Sequence, residues 1–131
     1  MLKGSCLCGS IEYAFRNPPE DFIICHCNMC QKFHGAAAGP YLRFPDVDFE
    51  ILKGGEYEVS FESSDIASRV FCNKCGSSLR YIYRQNPEII FVAAGVVDGD
   101  PISRPTQHIF VGNKCCWQEI CDNLPRAETW A

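Results

Sequence analysis

No stretch of the chain comes near the roughly 18 consecutive apolar residues of a membrane-spanning helix, so no membrane partner is expected. Met1-Leu2-Lys3-Gly4-Ser5-Cys6 lacks the apolar segment of an export signal, and the expected setting is therefore the reducing cytoplasm. Positive charge is not in excess: 12 Lys and Arg stand against 16 Asp and Glu, a net charge of −4. A nucleic-acid partner normally shows as a basic excess or stripe, so none is expected. Internal repeats, low-complexity runs and linkers are also missing. With 131 residues, 47% of them hydrophobic and 21% charged, the chain reads as one globular domain over 1–131.

Cysteine, by contrast, is abundant. Ten thiols in so short a chain suit either a disulfide scaffold or metal ligation, and a reducing setting favours metal. They fall into four groups: Cys6/Cys8, Cys25/Cys27/Cys30, Cys72/Cys75 and Cys115/Cys116/Cys121. The densest lies in Cys25-His26-Cys27-Asn28-Met29-Cys30-Gln31-Lys32, whose C-x-C-x-x-C spacing lets one zinc ion reach all three sulfurs at about 2.3 Å. Three ligands leave one tetrahedral position open, which separates a catalytic zinc from a structural one.

Cys6 and Cys8 sit in a glycine-bracketed turn, Gly4-Ser5-Cys6-Leu7-Cys8-Gly9, and Cys72-Asn73-Lys74-Cys75-Gly76 is a second glycine turn. Together these four thiolates would saturate a structural zinc, worth on the order of 10 kcal/mol in zinc-finger peptides. A competing assignment pairs Cys72 and Cys75 with two of the middle three and leaves Cys6 and Cys8 over. His26, on locally extended chain, points away from its cysteine neighbours. His34, one helical turn past Cys30, is the residue that would close the triple and make it structural. His108 reads as a hydrogen-bonded strand residue. Cys115, Cys116 and Cys121 have no spacing partner, so small buried thiols are expected there.

Short β-type runs separated by turn residues predict a mainly β domain. Ser10–Phe15 alternates with Ile11, Tyr13 and Phe15 on one face. Phe22–Cys25 delivers the chain to the triple thiol, Asn28–His34 suits a short helix, and Gly35 is its C-cap. Ala36–Phe44 reads as a strand with small residues that allow close packing. Val47–Leu52 and Tyr57–Phe61 are predicted to form a hairpin through Gly54-Gly55. Ala67–Phe71, Ser77–Tyr83 and Gln107–Val111 are further strands, and the apolar run Glu88–Ala94 is the expected central one. Trp117–Leu124 reads as a helical turn or an irregular tail.

The two glycine turns and the Cys25–Lys32 stretch with Gly35-Ala36 occur in order with Phe71, Ser77, Ala94-Gly95, Asp98, Pro105, His108-Ile109-Phe110, Lys114, Trp117 and Leu124-Pro125. In this set the chain resembles the glutathione-dependent formaldehyde-activating enzyme family, also called the centromere-protein-V domain. The resemblance implies a β-tent (Mss4-like) fold of short antiparallel strands. It implies a structural zinc on Cys6, Cys8, Cys72 and Cys75 and a catalytic zinc on Cys25, Cys27 and Cys30. The implied activity is that of a carbon–sulfur lyase, joining formaldehyde reversibly to glutathione as S-(hydroxymethyl)glutathione.

At an open zinc an incoming thiol loses its proton, against an ordinary cysteine pKa near about 8.5. Alternatively the ion polarises the adduct's oxygen for C–S cleavage. Lys32, Arg69 and Lys114 are the cations available to glutathione's carboxylates. The rival readings are a non-enzymatic zinc module of the same fold and a thiol-redox protein using Cys115, Cys116 or Cys121.

Overall fold

Among the described residues, period-two alternation in the short apolar runs produces ten strands, with one seven-residue helix between the third and fourth. The computed structural model describes residues 1–130. The strands are β1 (Leu2–Ser5), β2 (Glu12–Phe15), β3 (Asp21–Cys25), β4 (Gly39–Pro45), β5 (Phe49–Lys53), β6 (Glu58–Glu62), β7 (Ala67–Cys72), β8 (Ser78–Tyr83), β9 (Ile89–Ala93) and β10 (Gln107–Ile109). Helix α1 spans Asn28–His34 and ends at Gly35, which takes the left-handed conformation with φ 60°. Among the described residues no helix is long and apolar enough to cross a membrane.

The strands form two sheets. One has the order β1-β2-β5, the other β10-β3-β4-β9-β8-β7-β6. All pairings are antiparallel except that of β10 with β3. As the apolar run Glu88–Ala94 predicts, β9 takes the middle place of the larger sheet. The core lies between the sheets: Ile11, Tyr13 and Phe15 meet Leu42, Phe44, Val70, Leu79 and Val92, and Phe15 stacks on Phe44 at 4.3 Å.

The predicted hairpin at Gly54-Gly55 does not form. Its first arm, β5, pairs with β2, and its second, β6, pairs with β7 in the other sheet. Gly54 has φ 78°, and a Cβ there would lie 1.9 Å from the Ser10 carbonyl oxygen. The glycine is needed for that close approach, and the 3₁₀ turn Gly55–Tyr57 then hands the chain from one sheet to the other. The Ala36–Ala38 segment is also not strand; pairing begins at Gly39. There the lack of a side chain makes room for the His34 ring, since a Cβ on Gly39 would stand 2.8 Å from His34 Cδ2.

The sheet's second face carries a different set. Register places Ile23 opposite Tyr41, Cys25 opposite both Gly39 and Ile109, Arg43 opposite Phe91, Phe91 opposite Tyr81, and Tyr81 opposite Arg69. Because side chains alternate across a strand, these side chains project away from the core, and Tyr41, Tyr81, Phe91 and Arg69 lie around the end of β3 where the triple thiol begins.

Candidate metal centres and active site

The turn after β1 and the turn after β7 meet at the junction of the two sheets. Gly9 and Gly76 both have φ 77°, a conformation that lets each turn fold its two thiols toward one point. The sulfurs of Cys6, Cys8, Cys72 and Cys75 all lie within 4.8 Å of one another. A tetrahedral zinc with bonds of about 2.3 Å places its ligands about 3.8 Å apart. Cys6 and Cys8 stand 3.6 Å apart, and Cys8 and Cys72 4.0 Å, so the cluster has the dimensions of a four-thiolate zinc site. Backbone N–H groups of Ile11 and Lys74 donate to Cys6 Sγ (3.3 Å) and Cys72 Sγ (3.4 Å), and Ser77 lies 3.2 Å from Cys75 Sγ. The Ser77 hydroxyl is the main reason that the Cys75 thiol is pulled down to about 5. This grouping leaves Cys72 and Cys75 with Cys6 and Cys8, not with the middle three.

Cys25 ends β3, Cys27 caps α1 and Cys30 occupies the helix's first turn. Cys27 Sγ accepts the Cys30 N–H at 3.3 Å, so the capping that starts the helix also sets the thiol spacing. The three sulfurs lie within 4.8 Å of one another, and among the described residues no further cysteine, histidine or carboxylate joins them. Cys27 is the acidic member, pulled down to about 2 by hydrogen bonds from Cys25 and Cys30. Cys25 is pushed up, because it donates to Cys27 and Cys30 and is buried.

His34 is not part of this cluster. Its Nε2 lies 2.7 Å from Tyr41 Oη, and burial lowers its pKa to about 4, so it is a neutral acceptor. Arg69, only 4% exposed, faces the same point from β7. It donates through Nη1 to Cys30 Sγ (3.5 Å) and Tyr41 Oη (3.4 Å), and through Nε to Ser63 Oγ (3.3 Å). Its guanidinium lies over the Tyr81 ring, 5.1 Å from the centroid. Arg69 is thus a buried counter-charge to the thiols. Lys32 is exposed, and Lys114 donates to the carbonyls of Cys115 (2.8 Å) and Gln118.

His26 does point away from its cysteine neighbours' cluster. Its Nε2 meets His108 Nδ1 at 2.8 Å, and His108 Nε2 donates to Asp122 at 2.9 Å. The two rings and the carboxylate thus form one hydrogen-bonded chain. With Gln31 bonded to the carbonyls of His26 (2.8 Å) and Asn113 (2.9 Å), this chain ties the thiol loop to the C-terminal segment. That segment, Trp117–Leu124, is irregular. Just before it Cys115 is half-buried and Cys116 exposed, and Cys121 within it is exposed, so the expected burial of these thiols does not hold.

An open cavity of about 110 Å³ lies over Cys25, Cys27 and Cys30. Its walls are largely aromatic: Tyr41, Tyr81, Phe91, Phe110 and Trp130. Past Pro125 the chain runs alongside β10, with Ala127 N–H donating to His108 (2.9 Å) and Phe110 N–H to Thr129 (2.9 Å). This seats Trp130 on Phe110 at 5.1 Å. Of these wall residues only Phe110 was singled out from sequence, as part of the family resemblance and not as a cavity wall. Period two on each strand identifies which residues share a face, but only register brings four strands' faces to one place.

The fold and the two thiol groups define a mainly β protein with two cysteine clusters able to hold metal ions. Residues 1–113 match the model of the glutathione-dependent formaldehyde-activating enzyme family, and the chain belongs to that family. A Halomonas elongata protein named "Putative glutathione-dependent formaldehyde-activating enzyme" is 29% identical over 128 residues, spanning 92% of this chain and 81% of the relative. A Schizosaccharomyces pombe protein named as an uncharacterized lyase is 26% identical over 97 residues, spanning 74% of this chain and 69% of the relative. The crystal structure of a Rhodobacter sphaeroides protein, 26% identical, matches with a TM-score of 0.63 over 75% of this chain and 89% of that one.

Proposed function

We propose that the chain is a zinc-dependent carbon–sulfur lyase that forms and cleaves a thiol adduct of the S-(hydroxymethyl)glutathione type. Cys6, Cys8, Cys72 and Cys75 would hold a structural zinc, and Cys25, Cys27 and Cys30 a catalytic one. The observation that carries this reading is the contrast between a closed set of four thiols at the sheet junction and a set of three beneath an open cavity. Family membership and the lyase-type names of the relatives support glutathione and formaldehyde as the substrate pair. Zinc at the triple would supply a Lewis acid that favours the deprotonated form of an incoming thiol.

The chain's own residues prepare that chemistry. Cys27 is ready as a thiolate, and Arg69 offsets part of the negative charge that clustered sulfurs accumulate. Tyr41 accepts from Arg69 and donates to His34, which holds the arginine in place on the cluster's side. The apolar walls exclude water from the bond being made or broken.

In anaerobically purified protein, Cys27→Ser should keep the fold, drop zinc from about two to about one per chain, and abolish formaldehyde-dependent adduct formation with glutathione. Zinc at the wild-type level in this variant would sink the assignment. His34→Ala should keep both ions; loss of one would make the triple a closed structural site and favour a non-enzymatic zinc module.

A further inference from the structure

Arginine is an unusual residue for a buried strand, and Arg69 is 4% exposed within β7. It stands opposite Phe61 on one side and Tyr81 on the other. Counting its donors leaves one end over. Nε donates to Ser63 Oγ, and Nη1 to Cys30 Sγ and Tyr41 Oη, but Nη2 has no partner. Nη2 is not sealed from solvent either, since the sealed and unpartnered polar atoms among the described residues are His26 Nδ1 and Arg43 Nε. The open space that Arg69 lines is the cavity over Cys25, Cys27 and Cys30. A charged donor left without a partner in an apolar recess is costly, and a ligand oxygen there removes the cost.

Position decides which oxygen this is. Nη1 and Nη2 share one carbon, and Nη1 lies 3.5 Å from Cys30 Sγ, so the free N–H stands beside the sulfur cluster. In an S-(hydroxymethyl) thioether the oxygen is two bonds from the sulfur, whereas the carboxylates of glutathione are many bonds away. The Tyr41 hydroxyl, an alternative donor, is already engaged with His34 at 2.7 Å. The rings of Tyr81 and Phe33, with centroids 5.1 and 5.7 Å from the guanidinium, hold it in place, so it need not rearrange as charge develops.

Resting on the lyase reading above, we infer that Arg69 is a catalytic residue whose Nη2 donates a hydrogen bond to the aldehyde oxygen while that oxygen becomes an alkoxide. The sulfur's electron pair forms the C–S bond, the C=O π pair moves onto oxygen, and the alkoxide takes up the proton that the thiol has given to solvent. Arg69 keeps its own protons throughout. Cleavage reverses each step, and no oxidant or reductant takes part.

The test compares S-acetylglutathione with S-ethylglutathione, which share the peptide and differ in an oxygen two bonds from the sulfur. By titration calorimetry the zinc-loaded chain should bind the acetyl compound about tenfold tighter, the scale of a hydrogen bond to a charged group. In Arg69→Met with zinc content unchanged, that preference should fall below about twofold, and kcat for adduct formation from glutathione and formaldehyde should drop at least about 100-fold with KM within about threefold. Tyr81→Phe, which removes a neighbouring hydroxyl, should keep the preference. In the unaltered chain the guanidinium NMR signals of Arg69 should move with the acetyl compound and not with the ethyl one, a readout that needs no variant to fold. Equal affinities, weaker acetyl binding, no binding of either compound, or guanidinium signals that answer both compounds alike overturns the inference. So does a preference that survives Arg69→Met or vanishes in Tyr81→Phe. The lyase reading is judged separately, by adduct formation in the unaltered chain. Turnover without the acetyl preference leaves the reading and removes the inference, whereas the preference without turnover leaves Arg69 as the oxygen's partner and removes the reading.

Discussion

Replacing Cys8 by serine isolates what the four-sulfur cluster contributes to stability. The Cys8 side chain is exposed, so the change leaves no cavity and removes little apolar burial. Cys72, by contrast, is fully buried in the core, and any loss on changing it would mix packing with ligation. Structural zinc sites contribute about 10–16 kcal/mol through four ligands, so one thiolate accounts for about 3 kcal/mol. An unfolding entropy of about 2.1 cal/mol/K per residue over 131 residues is about 0.28 kcal/mol/K. The expected fall in Tm is therefore about 10 °C, a large change for a single exposed side chain. Differential scanning calorimetry reads the midpoint, and a chromophoric chelator reads the zinc released per chain. Cys116→Ser is the control, since Cys116 is also exposed but lies outside both clusters; its Tm should stay at the wild-type value. A Cys8→Ser protein with unchanged zinc and Tm would refute the claim that this cluster is a metal site that joins the sheets.

Three other outcomes are expected. Gly54→Ala should cost more than about 3 kcal/mol in urea denaturation, because its Cβ would overlap the Ser10 carbonyl at a positive φ; a loss under 1 kcal/mol, by the same strain estimates, would show that the contact yields easily. Arg69→Met in the reduced, metal-free chain should move the midpoint of Cys27 alkylation upward by about one pH unit, since the guanidinium's charge helps hold that thiolate; an unchanged profile would remove Arg69 as counter-charge. His34 has its pKa depressed from 6.5 to about 4, so its neutral form contributes stability that is complete above pH 6.5 and lost as pH falls through about 4. Discounted for partial exposure, the wild-type advantage over His34→Gln should shrink by about 1–2 kcal/mol between pH 7 and pH 4. A constant difference in urea denaturation at the two pH values would contradict the half-buried neutral histidine.

Local features were legible from residues because their causes are local. Asn28–His34 forms a helix that Gly35 ends, since a cap needs only the neighbouring residues. Ile11, Tyr13 and Phe15 are fully buried, as their alternation requires. The Gly54-Gly55 turn misled because a hairpin signal describes only the turn, whereas strand pairing depends on which edges are free. Here β2 and β7 offered better partners to β5 and β6 than these offered each other. Trp130 was invisible for a related reason: an aromatic residue in an irregular C-terminal segment has no period to reveal its contacts.

The sequence by itself determined that thiols would gather in small sets, because a spacing of one or two residues between cysteines lets a short loop present two or three sulfurs at a point. It also determined a mainly β chain, through period-two runs cut by turn residues. Only the tertiary structure decided that Cys6 and Cys8 meet Cys72 and Cys75 across more than sixty residues of chain. Only the register of β3, β4, β7, β8 and β9 put Tyr41, Tyr81, Phe91 and Arg69 around Cys25, Cys27 and Cys30. The reason is the range of the forces involved. Capping, turns and alternation act between near neighbours, whereas the buried arginine and the aromatic walls depend on how two sheets share one core.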